Sequence, residues 1–308
     1  MKRVLVLDAN QRSALAVTRS LGKHNIEVLT AEETPTALAG TSVFCKNHYT
    51  YPSPGLNAEQ FIETLIELVN KQRVDILLPM TELTSLLLLE NKSLFPDTII
   101  PFPDINTVES ISDKCSLMQT ASELAIPVPE ILFSGKLDDF NRDLKTLPYP
   151  VVIKPGKSWL RIQGTWTRSS VKYAENSVEA QKILETDSAL GNCPFMVQEY
   201  ISGHGRGVFC LYDNGTPVAF FAHRRLREKP PSGGVSVLSQ SVPVDQELGS
   251  YTRILLEHAN WHGVAMVEFK VTPDGRPYLM EINTRFWGSL QLAIDAGVDF
   301  PWLLYQVA

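Results

Sequence analysis

The stretch from Val264 to Ser289 constrains the fold more than any other, because it has the pattern of two strands joined by a tight turn. Val264 to Val271 and Tyr278 to Ile282 are rich in the β-branched and aromatic residues that favour strands. Asp274-Gly275 lies between them, and glycine tolerates the positive φ of a primed two-residue turn. The stretch therefore predicts a β-hairpin.

The length of this turn decides which side chains face each other. A two-residue loop places Glu268 directly opposite Glu281, a four-residue loop keeps that register, and an odd-length loop shifts it by one residue. Asn283 shares the face of Glu281, because side chains alternate along a strand. Opposed carboxylates destabilise a sheet, so the trio favours a bound cation, and oxygen ligands suit Mg²⁺. The alternative is an exposed hairpin whose acids face water.

Composition excludes several classes of function. The chain has 308 residues, of which 44% are hydrophobic, and this predicts two or three domains with sizeable cores. Its net charge is 28 − 34 = −6, which argues against a nucleic-acid partner. No apolar run reaches the ~18 residues of a membrane span, so we expect no membrane partner. The four cysteines are scattered, which favours reduced thiols and a cytoplasmic protein.

The first third of the chain alternates apolar strands with helical segments. The predicted strands are Lys2–Leu7, Ile26–Thr30, Val74–Pro79 and Thr98–Pro101, and the predicted helices are Ser13–Lys23, Phe61–Asn70 and Glu82–Glu90. This alternation predicts a doubly wound, parallel α/β domain. The first turn, Asp8 to Ser13, lacks the G-x-G-x-x-G pattern, which argues against a nicotinamide site.

The remaining chain mixes strands and helices without that alternation. We predict a helix from Asp104 to Ala125 that breaks near Ser112-Asp113, and further helices at Ser177–Leu190, Asp245–Trp261 and Ser289–Ala296. We predict strands at Pro150–Pro155, Phe195–Ile201, Val208–Leu211 and Pro217–Leu226, and loops at Gly156–Ser170 and Pro230–Ser236. On the second strand of the last pair, His223, Arg225 and Arg227 should share one face, and Arg224 should point away.

Several motifs occur in a recognisable order. Asp113-Lys114 precedes I-P-x-P at 126–129, Lys154 closes an apolar strand, and Q-E-Y-I follows at 198–201. The chain then continues with E-F at 268 and M-E-I-N-x-R at 280–285. This order resembles the ATP-grasp family over roughly residues 104–307. The resemblance implies α/β and α+β architecture: a pre-grasp α/β domain at 1–110, followed by a two-part ATP-grasp fold at 111–194 and 195–308.

The resemblance also implies roles for individual residues. Lys114 and Lys154 would contact the phosphates of ATP, and the adenine would lie beside Gln198, Glu199, Tyr200 and Ile201. Glu268, Glu281 and Asn283 would hold Mg²⁺, with Mn²⁺ as the alternative ion. Arg285 would orient the carboxylate to be activated. The basic cluster around Arg225 would, in a nucleotide site, act as a catalytic phosphate clamp, and the alternative is a solvated surface cluster. The loop Gly156–Ser170 would cover the phosphates, although Trp159, Arg161, Trp166 and Arg168 depart from the small residues expected there.

The implied activity is that of an ATP-dependent carboxylate–amine ligase. Its partners would be ATP, a small carboxylic acid and an amine, with amino acids foremost, and a homodimer is left open. Two alternatives remain: an enzyme that phosphorylates bicarbonate or carbamate, as carbamoyl-phosphate synthetases do, and a non-catalytic ATP-binding module. The last apolar stretch, Phe300 to Val307, favours a chain that is truncated at its C-terminus.

Overall fold

A computed structural model describes residues 2–229 and 235–308. Contacts between α-carbons divide the chain into two compact units. The first unit comprises Met1–Val108, Gly207–Met266 and Asn283–Ala308, and the second comprises Glu109–Arg206 and Val267–Ile282. The predicted loop Pro230–Ser236 lies outside the described residues over 230–234. No helix in the described ranges is long and apolar enough to cross a membrane.

The N-terminal part of the first unit is a parallel sheet with helices, as predicted. Its elements are β1 (Arg3–Val6), α1 (Arg12–Lys23), β2 (Glu27–Glu32), β3 (Cys45–Thr50), α2 (Ala58–Gln72), β4 (Ile76–Leu78), α3 (Glu82–Glu90) and α4 (Ile105–Ser112). The strand order is β3-β2-β1-β4, and the pairs are parallel. The predicted strand Thr98–Pro101 is reduced to a single bridge from Ile99 to Ile76, because Pro101 lacks the N–H that would extend a ladder.

The second unit is built on an antiparallel sheet. Its elements are α5 (Lys114–Glu123), β5 (Ile131–Gly135), β6 (Val151–Pro155), β7 (Trp159–Ile162), β8 (Thr165–Arg168), β9 (Lys172–Ala174), α6 (Ser177–Thr186) and β10 (Phe195–Glu199). The strand order is β5-β10-β6-β9. The predicted break between α4 and α5 is confirmed, and Asp113 forms the new N-cap by accepting from the Ser116 amide. Asn176 caps α6 by accepting from the Val178 and Glu179 amides.

A five-stranded sheet completes the fold. Its region contains β11 (His204–Asp213), β12 (Thr216–Lys229), β13 (Val235–Val242), α7 (Gln246–His258), β14 (Gly263–Val271), β15 (Pro277–Asn283), α8 (Leu290–Asp295) and α9 (Phe300–Val307). The order of its strands is β13-β12-β11-β14-β15. Within the first unit, Phe209, Trp287 and Phe300 share one apolar core with the N-terminal strands. The second unit has its own core around Val151, Phe195 and Val197.

The segment Gly156–Ser170, predicted as a loop, contains a β-hairpin. β7 and β8 pair in antiparallel register, and Ile162 faces Thr165 across a two-residue turn. Gln163 and Gly164 have φ values of 49° and 85°, as a type I′ turn requires. The sequence carried this signal, because both flanking segments alternate in polarity around Gln163-Gly164.

The turn between β14 and β15 is longer than the two residues predicted. The Thr272 amide donates to the Arg276 carbonyl oxygen at 3.0 Å, and the Gly275 amide donates to the Thr272 carbonyl oxygen at 2.9 Å. These bonds define a three-residue loop with Gly275 at φ 90°, which is a type I turn followed by a glycine bulge. The loop is therefore odd in length.

Candidate nucleotide and metal site

Two buried lysines lie in the second unit at the positions that the sequence singled out. Lys154 is next to last in β6 and its residue is 8% exposed. Lys114 opens α5 and is 7% exposed, although a lysine in the first turn of a helix faces the positive end of the helix dipole. Lysines are almost never fully buried without partners. Burial therefore argues against an ordinary surface role for either residue.

The two lysines interact with one carboxylate. Lys114 Nζ lies 3.8 Å from Glu281 Oε2 and donates to Ser158 Oγ at 3.1 Å. Burial lowers the pKa of Lys154 to about 8, and the charges of Lys114 and Lys270 act in the same direction while Glu281 opposes them. Glu281 therefore has cations beside it, whereas the sequence predicted an uncompensated pair of acids. Lys154 thus has two further cations and one carboxylate within electrostatic reach, an arrangement suited to a polyanion.

Lys270 is a site residue that the sequence prediction missed. It lies on β14 two residues after Glu268, so the alternation of the strand places both on one face. Its Nζ donates to the Ile201 carbonyl oxygen at 2.9 Å and lies 4.8 Å from the centre of the Tyr200 ring. These contacts tie Lys270 to the segment predicted to flank adenine. The spacing from Glu268 was the signal that could have identified it.

The segment 198–201 contains an unsatisfied side chain. Gln198 is completely buried, and neither its amide nitrogen nor its amide oxygen has a hydrogen-bond partner among the described residues. Gln198 faces Val152 of β6 and Met196 faces Lys154, so Gln198 and Lys154 project from the same side of the sheet. Glu199 is engaged structurally, because its carboxylate accepts from the Glu130 amide at 2.9 Å. Gln198 thus retains both donor and acceptor capacity for a ligand.

The predicted metal ligands lie on neighbouring strands of the five-stranded sheet. Glu268 is half-buried on β14, and Glu281 and Asn283 are half-buried on β15. In the described parts of the chain, no group of three or more His, Cys, Asp or Glu side chains has the arrangement of a metal site. Glu268, Glu281 and Asn283 supply two carboxylates and one amide, and asparagine is not one of those four residue types. Its oxygen donors match the ligand preference of Mg²⁺.

The two predicted catalytic arginines belong to the first unit. Arg285 donates to the Phe286 carbonyl oxygen at 3.1 Å, and its second terminal nitrogen lies 3.5 Å from Asn283 Oδ1. Arg225 is half-buried, and its Nη1 lies 3.5 Å from Glu228 Oε1. Arg285 is therefore held beside one predicted metal ligand.

The prediction that Arg227 shares a face with His223 and Arg225 is wrong. The register of β12 against β13 shifts between Arg225 and Arg227 and again before Glu228. These irregularities reverse the alternation, so Arg227 is exposed and Glu228 takes its place on the side of Arg225.

Burial lowers the pKa of His223 to about 4, so its imidazole is neutral at pH 7.

A family model and solved structures agree on the fold. Residues 192–308 match a family model described as "ATP-grasp in the biosynthetic pathway with Ter operon". An L-amino acid ligase from Bacillus licheniformis superposes with a TM-score of 0.73 at 13% identity, covering 99% of this chain and 73% of that chain. A biotin carboxylase from Campylobacter jejuni gives 0.76 at 14% identity, covering 99% and 70%.

A third structure carries bound ligands. It is the biotin carboxylase domain of the 2-oxoglutarate carboxylase from Hydrogenobacter thermophilus, in complex with MgADP, ADP and bicarbonate. It superposes with a TM-score of 0.73 at 18% identity, covering 99% of this chain and 68% of that chain. The resemblance predicted from the sequence is thereby confirmed for the fold: a parallel α/β region followed by an ATP-grasp core.

Proposed function

We propose that this chain, an ATP-grasp protein by its fold, is an ATP-dependent ligase that joins a carboxylic acid to an amine and releases ADP and phosphate. The observation that carries the proposal is the buried Lys154 in the second unit, whose charge interacts with those of Lys114, Lys270 and Glu281. A buried lysine whose pKa is lowered to about 8 gains most from a ligand that brings several negative charges. The triphosphate of ATP is such a ligand.

The binding roles follow from the side chains. Lys114 and Lys154 would hold phosphate oxygens, and the free amide of Gln198 would satisfy its hydrogen bonds at the adenine. The backbone of Glu199, Tyr200 and Ile201 would flank the same base. The oxygen donors of Glu268, Glu281 and Asn283 fit Mg²⁺, or Mn²⁺ in its place. When bound, the ion would supply neutralisation of phosphate charge.

The reaction needs no covalent bond to the protein. A carboxylate oxygen attacks the γ-phosphorus of ATP, ADP leaves, and an acylphosphate forms. The amine then attacks the carbonyl carbon, phosphate leaves with the C–O bond electrons, and the amine loses a proton to form the amide. We assign to Arg285 the orientation of the carboxylate and to Arg225 the neutralisation of the transferred phosphoryl group. Lys154 and Lys114 balance the charge that develops on ADP.

The test is a screen of substrates with Mg²⁺ and ATP. ADP and phosphate release are measured with single amino acids and with pairs, and the coupled product is identified by mass. We expect release to require an acid, and amide to form when an amine is also present. If ATP binds but no acid, alone or with an amine, stimulates release of ADP and phosphate, the chain is a non-catalytic ATP-binding module.

Phosphorylation of bicarbonate is the second candidate, because two of the matching structures are a biotin carboxylase and a biotin carboxylase domain, the latter solved with MgADP and bicarbonate. The two candidates differ in the acid that they require. Bicarbonate alone should stimulate ADP formation if this candidate holds, and an organic acid should be needed if the ligase proposal holds. Both assays must run in buffers freed of dissolved carbon dioxide.

We further propose small, soluble substrates and a cytoplasmic location for the reaction. The four cysteines are free thiols, which fits a reducing compartment that also supplies ATP. A homodimer remains part of the proposal, and sedimentation of the purified chain tests it directly.

A further inference from the structure

The hairpin β7–β8 carries an unusual face. Directly paired residues in an antiparallel ladder point to the same side, so Trp159 lies beside Arg168 and Arg161 lies beside Trp166. All four side chains, which we call the Trp–Arg face, therefore project from one side of the hairpin. The opposite side carries Leu160, which is 6% exposed and packs inward.

The Trp–Arg face has free positive charge. Among the described residues, neither Arg161 nor Arg168 forms an ion pair or a side-chain hydrogen bond, and neither guanidinium lies over an aromatic ring. Both are exposed, and the two indoles are half-exposed beside them. From Lys154 to Lys172 the sequence has five basic residues and no acidic one, in a chain whose net charge is −6. Within the hairpin itself, Arg161 and Arg168 supply the positive charge and Trp159 and Trp166 the aromatic surface.

A polar surface pocket adjoins the root of the hairpin. It has a volume of about 470 Å³, and Arg168, Ser169, Ser170, Lys182 and Ser188 are among the residues that line it. The pocket also contains Lys172, which lies 3.8 Å from Asp187, and Glu179, whose carboxylate accepts from the Glu175 amide and from Asn176 Nδ2. Arg168 thus belongs both to the Trp–Arg face and to a pocket with hydroxyl groups. An anion held by Arg168 would find further hydrogen-bond donors there.

The root of the hairpin is connected to the proposed phosphate site within the second unit. The Ser169 amide donates to the Ser158 carbonyl oxygen at 2.9 Å, and Ser158 Oγ accepts from Lys114 at 3.1 Å. Trp159 is the next residue along the chain. A ligand on the Trp–Arg face would therefore lie next to Ser158, the residue that hydrogen-bonds to Lys114.

We propose that the Trp–Arg face binds a small planar anion, in which an aromatic or heteroaromatic ring bears a carboxylate or a phosphate. Within a Trp–Arg pair, the indole stacks on the ligand's ring, and the guanidinium of the same pair forms a bidentate contact with the anionic group. Directly opposed Cβ atoms lie about 5 Å apart, a spacing that one substituted ring can span. The further assignment of this ligand as a substrate of the enzyme rests on the proposed ligase function.

The test is binding without ATP, read at the tryptophans. The chain has five tryptophans, so a nitrogen-15 spectrum shows five indole N–H signals, and Trp159→Phe and Trp166→Phe assign the relevant two. The probes are benzoate and phenyl phosphate, which separate a carboxylate ligand from a phosphate ligand. Acetate and inorganic phosphate lack the ring, and benzamide lacks the charge. We expect saturable shifts of the two hairpin signals with the planar anions and at least tenfold weaker effects with the controls.

Variants complete the test. The double variant Arg161→Gln/Arg168→Gln should raise Kd at least tenfold, which corresponds to about 1.4 kcal/mol. Thr167→Ala, on the opposite side of the hairpin, should leave Kd unchanged, and the other three indole signals report that each variant is folded. An unchanged Kd in the double variant, equal binding of acetate, or no saturable shift below about 10 mM would overturn the inference. Because no turnover is involved, absence of ligase activity would not affect this result.

Discussion

Replacing Lys154 by methionine should stabilise the ligand-free protein and weaken ATP binding at the same time. Burial lowers the pKa of Lys154 from its ordinary value of 10.5 to about 8. That difference corresponds to about 3 kcal/mol against the charged form in the folded state. Methionine has a similar length, carries no charge and suits a buried strand. This figure already includes the opposing attraction of Glu281, which raises the pKa of Lys154.

The sign of the pH dependence follows from proton counting. Between pH 8 and 10.5 the unfolded chain keeps the Lys154 proton and the folded chain does not, so this residue makes the wild type more stable as the pH rises. Below pH 8 both states are protonated, and the full cost is present. The Lys154→Met protein lacks this dependence. We expect it to be more stable than the wild type by about 1–3 kcal/mol at pH 7, with the advantage shrinking towards pH 10.5.

The assay is urea unfolding of the full chain at pH 7 and near pH 10, followed by calorimetry with ATP. Lys157→Met is the matched control, because Lys157 follows three residues later, its side chain is 46% exposed, and it pairs with Glu109. Removing an exposed ion pair should change stability by less than about 1 kcal/mol. ATP affinity should fall 10- to 100-fold in Lys154→Met and stay near the wild-type value in Lys157→Met. A Lys154→Met protein that is less stable at pH 7, or that keeps the wild-type pH dependence, would refute the argument.

Three further outcomes are expected from the site and its surroundings. Glu281→Gln should abolish ADP formation and also lower the melting temperature without ligand, since it removes the carboxylate shared by two lysines; full activity would show that this acid is not a ligand. Gly203→Ala should lower the free energy of unfolding by about 2 kcal/mol or more, because the new Cβ would lie 2.5 Å from the Val271 carbonyl oxygen. Gly191→Ala is the control: its Cβ would meet nothing closer than 3.9 Å, so the free energy of unfolding should change by less than about 0.5 kcal/mol. Arg285→Lys should reduce kcat/KM for the acid about 100-fold, or about 2.7 kcal/mol, with ATP affinity retained; an equal loss of ATP affinity would move Arg285 to the triphosphate.

Local sequence signals located most of the N-terminal fold. The predicted helix Glu82–Glu90 matches α3 residue for residue. Thr81 caps its N-terminus, and most of the leucines within the helix are buried. Strands β1 and β4 are short runs of buried aliphatic residues. β3 was missed because its sequence, CKNHYT, is polar and partly exposed, so backbone pairing with β2 rather than burial defines it. Such an edge strand leaves little trace in a hydrophobic pattern.

The candidate site was only partly predictable for a different reason. Lys154 and Gln198 could be named from the order of motifs, but their shared face depends on the register between β6 and β10. The contact of Lys114 with Glu281 joins residues 167 positions apart in the printed sequence, and no periodicity reports such a pair. The bulges that turn Arg227 outward and the extra residue in the turn after Val271 are likewise set by pairing, not by composition.

Two costs of the ligand-free state coincide on one side of the β5-β10-β6-β9 sheet. Lys154 is buried with a lowered pKa, and Gln198, on the same face, has a buried amide without partners. An unsatisfied buried polar group costs about 1–3 kcal/mol, so Gln198 adds to the cost of Lys154. Elsewhere the same sheet is packed with aliphatic and aromatic side chains. Violations of burial rules that coincide in this way are expected where a ligand completes the structure. Binding would recover these costs, and a ligand at 100 times its Kd would stabilise the folded chain by about 2.7 kcal/mol.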